Sequence, residues 1–115
     1  MTIRFENIKN NEDYIEEYRE YTAEVDGEEV GYATVTIYTD GDVMVDRMDI
    51  NEDQRNKGYG TQFITLLGKE LGDLIVAPDN ADAQRLWARL GEDMEGTRKW
   101  DTYYAFDQGF GVYVI

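Results

Sequence analysis

Two Asp-Gly pairs, at 26–27 and 40–41, restrict what this chain can fold into more than any other feature. Each pair lies between runs rich in Tyr, Val, Thr and Ile, and Asp-Gly readily adopts the positive φ angles of tight hairpin turns. The pairs therefore predict three consecutive antiparallel strands, at about 17–26, 29–39 and 42–50. An alternating stretch at about 2–8 predicts an additional edge strand, and Asn10 to Tyr14 predicts a loop or a single helical turn.

The spacing of apolar residues changes from that of a strand to that of a helix after Gly58. Apolar residues on one helical face predict a helix at about 59–71, which Gly72 is placed to end. A continuous apolar run at 74–77 predicts a short buried strand, and a second amphipathic helix follows at about 81–90. The order strand, helix, strand predicts a parallel pair joined by a right-handed crossover.

The tail is rich in aromatic residues and predicts two strands, at about 98–106 and 110–115, that close the fold as a hairpin. Because the last strand, 112–115, is apolar, we expect its edge to be covered by pairing across a homodimer. The whole chain predicts one α+β (mixed α/β) domain over 1–115, since this length suits a single core.

Composition removes much of the common catalytic repertoire. The chain contains no cysteine and no histidine, which excludes disulfides, thiolate nucleophiles, His-based triads and the usual Cys and His metal clusters. We therefore expect no metal site. The first ten residues carry no apolar signal region and no run approaches the roughly 20 apolar residues that span a bilayer, so we expect a cytoplasmic protein.

The net charge of −14 is the other strong feature of the composition. Nucleic acids and anionic membranes attract positive surfaces, so we expect neither direct nucleic-acid binding nor membrane binding. A negative surface favours a cationic substrate, a basic protein partner, or mimicry of the phosphate backbone towards a DNA-binding protein. Solubility alone explains the charge equally well.

The segment from Ile50 to Thr61, where the third predicted strand meets the first helix, is basic in an otherwise acidic chain. Gly58 and Gly60 leave backbone N–H groups unobstructed at a helix N-terminus, and Arg55 and Lys57 add positive charge. Such a segment can hold a pyrophosphate, or it is simply a glycine-rich helix start with a solvated basic turn. The Walker and Rossmann patterns both fail here.

A different family matches this segment. The run Arg55-Asn56-Lys57-Gly58-Tyr59-Gly60 resembles in full the Arg/Gln-x-x-Gly-x-Gly/Ala motif of the GNAT superfamily of acetyl-CoA-dependent N-acetyltransferases. Downstream, residues 80–91 resemble the Asn-x-x-Ala-x-x-Leu-Tyr-x-x-x-Gly helix of the same family. The resemblance covers about 42–91, and the compact size and the tail also resemble small phage-encoded relatives.

The resemblance implies a mixed sheet whose fourth and fifth strands splay to admit the pantetheine arm of acetyl-CoA. It also implies that the Met48 N–H polarises the thioester carbonyl, so that an amine attacks directly in a ternary complex. The cofactor-binding residues that it implies are Met48, Asp49 and Ile50 along the arm, Arg55, Asn56, Lys57, Gly58, Tyr59, Gly60 and Thr61 at the pyrophosphate, and Asn80, Ala83 and Trp87 near the thiol.

The sequence departs from the family at the proton-transfer positions. Trp87 stands where the family often has a tyrosine acid, so Tyr104, or its neighbour Tyr103, is our candidate for protonating the leaving thiolate. Met44 stands where some members have a glutamate base, so Asp46, two residues further along the same strand face, is our candidate base. An exposed strand aspartate and sheet-packing tyrosines are the competing interpretations.

The segment before the second strand is too short for the two helices that family members place there. Residues 9–16 allow at most one turn, which predicts an acceptor groove that is open, completed by a second protomer, or adapted to a macromolecule. An acidic, open groove predicts acetylation of a cationic primary amine, namely a protein lysine, a protein N-terminus or a polyamine. The alternative is a catalytically inactive acidic binding protein that blocks a basic, DNA-binding partner.

Overall fold

The computed structural model describes residues 1–8 and 12–115, which form one seven-stranded sheet flanked by helices. In chain order the elements are β1 (Thr2–Ile8), β2 (Ile15–Val25), β3 (Glu28–Tyr38), β4 (Val43–Ile50), α1 (Tyr59–Leu71), β5 (Ile75–Val76), α2 (Ala81–Leu90), β6 (Glu92–Asp93), α3 (Trp100–Tyr103) and β7 (Tyr113–Val114). Across the sheet the strands lie in the order β1-β2-β3-β4-β5-β7-β6. The predicted α+β fold is therefore confirmed.

The antiparallel meander from β1 to β4 forms where the Asp-Gly pairs predict it. At the first turn Asp26 and Gly27 both take positive φ angles, of 52° and 78°, as a tight hairpin requires. At the second turn Gly41 has φ 94°, and the Tyr38 N–H donates to the Asp42 carbonyl at 2.9 Å. The predicted edge strand is β1. Of the predicted loop at 10–14, residues 10 and 11 lie outside the described residues.

The crossover from β4 through α1 to β5 confirms the predicted parallel pair. Helices α1 and α2 begin and end where predicted, and both pack on one face of the sheet. The buried side chains that they add to this core are Phe63, Ile64, Leu67 and Trp87. No helix in the described part of the chain is long and apolar enough to cross a membrane.

The predicted C-terminal hairpin is wrong. Residues 100–103 form α3 and Tyr104–Phe106 a 3-10 turn, instead of a strand over 98–106. Two long-range hydrogen bonds favour the helical turn over a strand. The Tyr103 hydroxyl donates to Asp42 Oδ2 at 2.8 Å, and Lys99 Nζ donates to Asp42 Oδ1 at 2.5 Å. Tyr103 is thereby drawn into a second buried cluster, on the other face of the sheet, with Met44, Ile75, Met94 and Val112.

The last strand is also placed differently from the prediction. β7 is only two residues long and lies between β5 and β6, pairing with both. It is therefore not the free edge on which the homodimer prediction rests. Asp107 closes the turn before it, because its Oδ1 accepts the N–H groups of Gly109 and Gly111 at 2.8 and 3.0 Å.

Candidate functional site

The sheet opens between β4 and β5. The two strands pair only through Met44 with Ile75 and Val45 with Val76, whereas β4 continues alone to Ile50. A cavity of about 350 Å³ occupies the gap. Its lining residues come from β4, from the connection between β5 and α2, from α2 itself and from the C-terminal turn: Val45, Asp46, Arg47, Met48, Asp49, Val76, Ala77, Pro78, Asp79, Asn80, Ala83, Trp87 and Gln108.

Asp46 lines this cavity at a bulge in β4. Thr34 pairs with Arg47 and Val35 with Val45, which leaves Asp46 as an extra residue in the ladder. The Thr36 hydroxyl donates to Asp46 Oδ2 at 2.6 Å. Burial among the cavity walls raises the pKa of Asp46 by more than the Thr36 hydrogen bond lowers it. Asp46 is still exposed to solvent at the cavity, and the raised pKa is the direction that suits a general base.

Beyond the bulge, the edge of β4 that faces the gap has no strand partner among the described residues. The side chains of Met48 and Ile50 pack against the main core, and Asp49 accepts a hydrogen bond from Arg47 Nε at 2.7 Å. On one side β4 pairs with β3, and its ladder with β5 ends at Val45. The edge facing the gap can therefore pair with an extended ligand as another strand would.

The start of α1 lies at the end of this free strand. Asn56 and Gly58 adopt positive φ angles of 64° and 77°, and Gly58 is the N-cap, without a side-chain cap. Because the Gln62 N–H makes the first intrahelical bond, to the Gly58 carbonyl, the four N–H groups of 58–61 have no partner within the helix. Four backbone donors at a positive dipole end suit an anion.

The two cations predicted to assist are held beside this helix start. Arg55 Nε donates to the Ile50 carbonyl at 3.1 Å, and Lys57 Nζ donates to Gln54 Oε1 at 3.1 Å. Gly60 has a different role from Gly58. A Cβ atom on Gly60 would lie 3.8 Å from Leu86 Cδ2 and 4.0 Å from Ile50 Cγ1, so its bare side faces the protein interior.

The second helix brings three predicted residues to the cavity. Asn80 caps α2, because its Oδ1 accepts the Ala83 N–H at 2.8 Å. Ala83 and Trp87 lie one turn apart on the same helix face, and both line the cavity. Trp87 is 7% exposed, so its indole is also part of the core.

A family model described as "Acetyltransferase (GNAT) family" matches residues 3–91. The chain belongs to this family. A comparison with curated proteins finds no match. The splayed β4 and β5 and the glycine-rich start of α1 are thus the features of a GNAT acetyltransferase domain, as the two sequence motifs predict.

Solved structures show the same fold. The IAA acetyltransferase from Bacillus cereus ATCC 14579 is 16% identical, with a TM-score of 0.53 over 78% of this chain and 76% of that one. A tyrosine-to-phenylalanine mutant of the toxin AtaT, bound to the C-terminus of the antitoxin AtaR, is 14% identical. Its TM-score is 0.57 over 100% of this chain and 92% of that chain.

The structure does not bring the predicted acid to the cavity. Tyr104 is 58% exposed, lies in a 3-10 turn instead of a strand, and its ring is 6.5 Å from that of Trp100. Neither Tyr104 nor Tyr103 is among the described residues that line the cavity. The Tyr103 hydroxyl donates its hydrogen bond to Asp42. Burial of Tyr103 and this hydrogen bond both raise the pKa of Tyr103.

Sequence reasoning missed three polar residues of the cavity, namely Arg47, Asp79 and Gln108. Gln108 lines it from the turn that Asp107 closes, with Gly109 and Gly111 at φ 100° and 88°. The run Asp-x-Gly-x-Gly is a readable turn signal. Its position over the cavity depends on the long-range placement of the tail, which no local pattern contains.

Proposed function

We propose that this GNAT protein transfers the acetyl group of acetyl-CoA to a primary amine of a cationic acceptor. The observation that carries the proposal is that the free edge of β4 and the carboxylate of Asp46 line the same cavity. A substrate arm lying along the strand would end beside a base. The residues around the cavity account for binding, for proton transfer and for the preference for a cation.

The chain's backbone groups fit the cofactor. Acetyl-CoA supplies an acyl group activated as a thioester. The backbone of Met48, Asp49 and Ile50 would pair with its pantetheine arm, and the N–H groups of 58–61, with Arg55, Asn56 and Lys57, would hold its pyrophosphate. Asn80, Ala83 and Trp87 would border the thiol end, and the Met48 N–H would donate to the thioester carbonyl.

Asp46 would accept the proton that the attacking ammonium must lose. The new N–C bond then forms as the C–S bond breaks. Trp87 has no proton of suitable acidity to give, and Tyr104 lies elsewhere, so the leaving thiolate would take its proton from solvent. No covalent intermediate on the protein is required, which agrees with a chain that lacks cysteine and histidine.

The charges of the cavity favour a cationic acceptor. Asp46, Asp49 and Asp79 line it, and its cation, Arg47, is already paired with Asp49. The net charge of −14 extends the same preference over the surface and would draw a basic acceptor towards the site. A protein lysine, a protein N-terminus and a polyamine all meet this requirement.

The first test is a calorimetric titration of the protein with acetyl-CoA. The second measures turnover of lysine peptides and polyamines, with a thiol reagent that detects the CoA released. The chain has no cysteine, so free CoA gives the only thiol signal. Asp46→Asn should keep the Thr36 contact and bind acetyl-CoA normally, yet lose roughly 100- to 10,000-fold in kcat. Asp93→Asn removes the same charge at a residue that does not line the cavity and should leave kcat unchanged. Equal turnover in Asp46→Asn and the wild type would exclude Asp46 as the base.

A second function deserves the same test, because Trp87 replaces the family tyrosine and no tyrosine is among the described lining residues. On this alternative the chain is an inactive GNAT-fold protein that blocks a basic, DNA-binding partner. Failure to bind acetyl-CoA at millimolar concentration would favour it. Saturable binding at micromolar concentration with turnover of an amine would exclude it.

A further inference from the structure

A second cavity, of about 330 Å³, opens on the sheet face that bears Thr36, away from α1 and α2. Its aromatic walls are Tyr14, Tyr38, Tyr103 and Phe106, and Asp40 lies at its rim. We call these five residues the aromatic pocket. Neither cofactor binding nor proton transfer as proposed above requires it.

Three of the four rings of the aromatic pocket lie next to one another. The ring centroids of Tyr38 and Tyr103 are 6.4 Å apart, and those of Tyr103 and Phe106 are 5.9 Å apart, in tilted arrangements. Tyr14 and Phe106 are 62% and 41% exposed, so a ligand can reach them from solvent. The pocket is thus apolar and aromatic, and it is open on one side.

The charge of the pocket selects the kind of ligand. The Asp40 Oδ1 accepts the Asp42 N–H at 2.9 Å, which stabilises the turn at 40–42. The carboxylate of Asp40 also places a negative charge at the rim of the pocket. Among the described residues that line the pocket, none is a lysine or an arginine. Aromatic faces beside a carboxylate attract a cation, and several rings around one site are the known means of binding ammonium and guanidinium groups.

The aromatic pocket and the base are both contacted by side chains of β3. Thr36, which holds Asp46, and Tyr38, which lines the pocket, are two residues apart on β3 and so point to the same face. Two residues of a strand advance about 7 Å. An extended peptide has the same repeat, because its side chains at positions i and i+2 also point the same way at that spacing.

We propose that the aromatic pocket binds a basic side chain two positions from the lysine to be acetylated, in an extended segment of a protein acceptor. This rests on the proposed function and specifies its acceptor. The matching repeat favours a peptide over a free polyamine, and the carboxylates of Asp40 and Asp46 complement the two positive charges.

The experiment measures binding of short, end-blocked peptides to the protein saturated with CoA, by calorimetry. Each peptide carries one lysine and one arginine, placed two residues before it, two residues after it, or directly after it, with a lysine-only peptide for reference. The same peptides are then assayed for acetylation with acetyl-CoA. Arginine supplies the second cation without competing as an acceptor.

Two variants remove the pocket's chemistry without touching the cavity at Asp46. Phe106→Ala removes one wall, and its matched control is Phe5→Ala, at 39% exposure on β1. Asp40→Asn keeps an oxygen for the Asp42 N–H but loses the charge. Its control is Asp93→Asn, whose Oδ1 likewise accepts the N–H of the residue two positions on, Glu95, at 2.8 Å.

We expect one of the two peptides with spacing two to bind about tenfold more tightly than the lysine-only peptide. Phe106→Ala and Asp40→Asn should each abolish most of that advantage, and the controls should retain it. Equal affinity for all four peptides, or an advantage that survives both pocket variants, would overturn the proposal.

Failure of the proposed function would look different. If spacing-dependent, pocket-dependent binding occurs but no peptide is acetylated, the pocket stands and the catalytic proposal fails. If peptides are acetylated with no dependence on arginine position, the catalytic proposal stands and the pocket is refuted. Preferential binding of a free polyamine, lost in the pocket variants, would also refute the peptide assignment.

Discussion

Replacing Gly58 and Gly60 separately with alanine should change stability in opposite directions, although both glycines belong to one motif. Gly58 has φ 77° and ψ 11°, in the left-handed region, whereas Gly60 lies inside α1. The two variants therefore test whether Gly58 is required for its left-handed backbone conformation and whether alanine is tolerated at Gly60.

The magnitudes follow from the local geometry. A Cβ on Gly58 would meet nothing within 4 Å, so the cost is conformational only, about 1–2 kcal/mol. A Cβ on Gly60 would make ordinary contacts with Leu86 and Ile50, and alanine should gain about 0.5–1 kcal/mol over glycine in a helix. The free energies of unfolding of the two variants should thus differ by about 1.5–3 kcal/mol.

Urea unfolding followed by tryptophan fluorescence measures both values, and a titration with acetyl-CoA adds the functional result. Gly58→Ala should weaken acetyl-CoA binding, because relief of the strain turns the N–H groups of 58–61 away from their common target. Gly60→Ala should bind normally, since its methyl group faces the interior. A Gly58→Ala protein as stable as the wild type, or a folded Gly60→Ala protein that fails to bind, would refute this reasoning.

Two further variants test the electrostatics of the sheet. Thr36→Val removes the hydrogen bond that stabilises the Asp46 carboxylate, so the acidic limb of the kcat/KM profile should shift to higher pH; an unchanged limb would show that another group is titrating. Burial opposes ionisation of Asp42, but the hydrogen bonds from Lys99 and Tyr103 outweigh it and hold its pKa below the usual value. The stability that Asp42 contributes is therefore present above the usual carboxyl pKa and is lost as the pH falls through the lowered one. Asp42→Asn should cost about 1–3 kcal/mol in neutral urea melts and progressively less in acid; a difference independent of pH would contradict this assignment.

The features that the sequence predicts correctly are those with local causes. The hairpin turns depend on Asp26-Gly27 and Asp40-Gly41, whose conformations are set by the residues themselves. The start of α1 at Gly58 and the cap of α2 at Asn80 are equally local. Because the GNAT motif consists of such local signals, the fold can be predicted from it, whereas the cofactor site that the same motif implies stays a prediction.

The features that the sequence does not predict depend on distant contacts. Residues 98–106 have the composition of a strand, yet Lys99 and Tyr103 form part of a helical turn. Both side chains bind Asp42, which is more than 50 residues earlier in the sequence. The bulge at Asp46 is likewise invisible in β4 alone, because it is defined only by the register with β3. Tyr104, the predicted acid, is a candidate site residue of this kind. Its predicted position depends on a strand at 98–106, which the tail does not form.

The open face of the sheet links the base to the size of its acceptor. Between β1 and β2 the described residues 12–14 form no more than a turn, and these three residues add no helix over Thr36 and Asp46. Burial by the chain's own walls already raises the pKa of Asp46. An acceptor that covers the face would exclude further water, which raises the pKa of Asp46, whereas the ammonium of the same acceptor would lower it. A small amine cannot supply this covering, whereas a protein segment spanning Asp46 and the aromatic pocket can. On the proposed function, the described part of this face would therefore be completed by the acceptor itself.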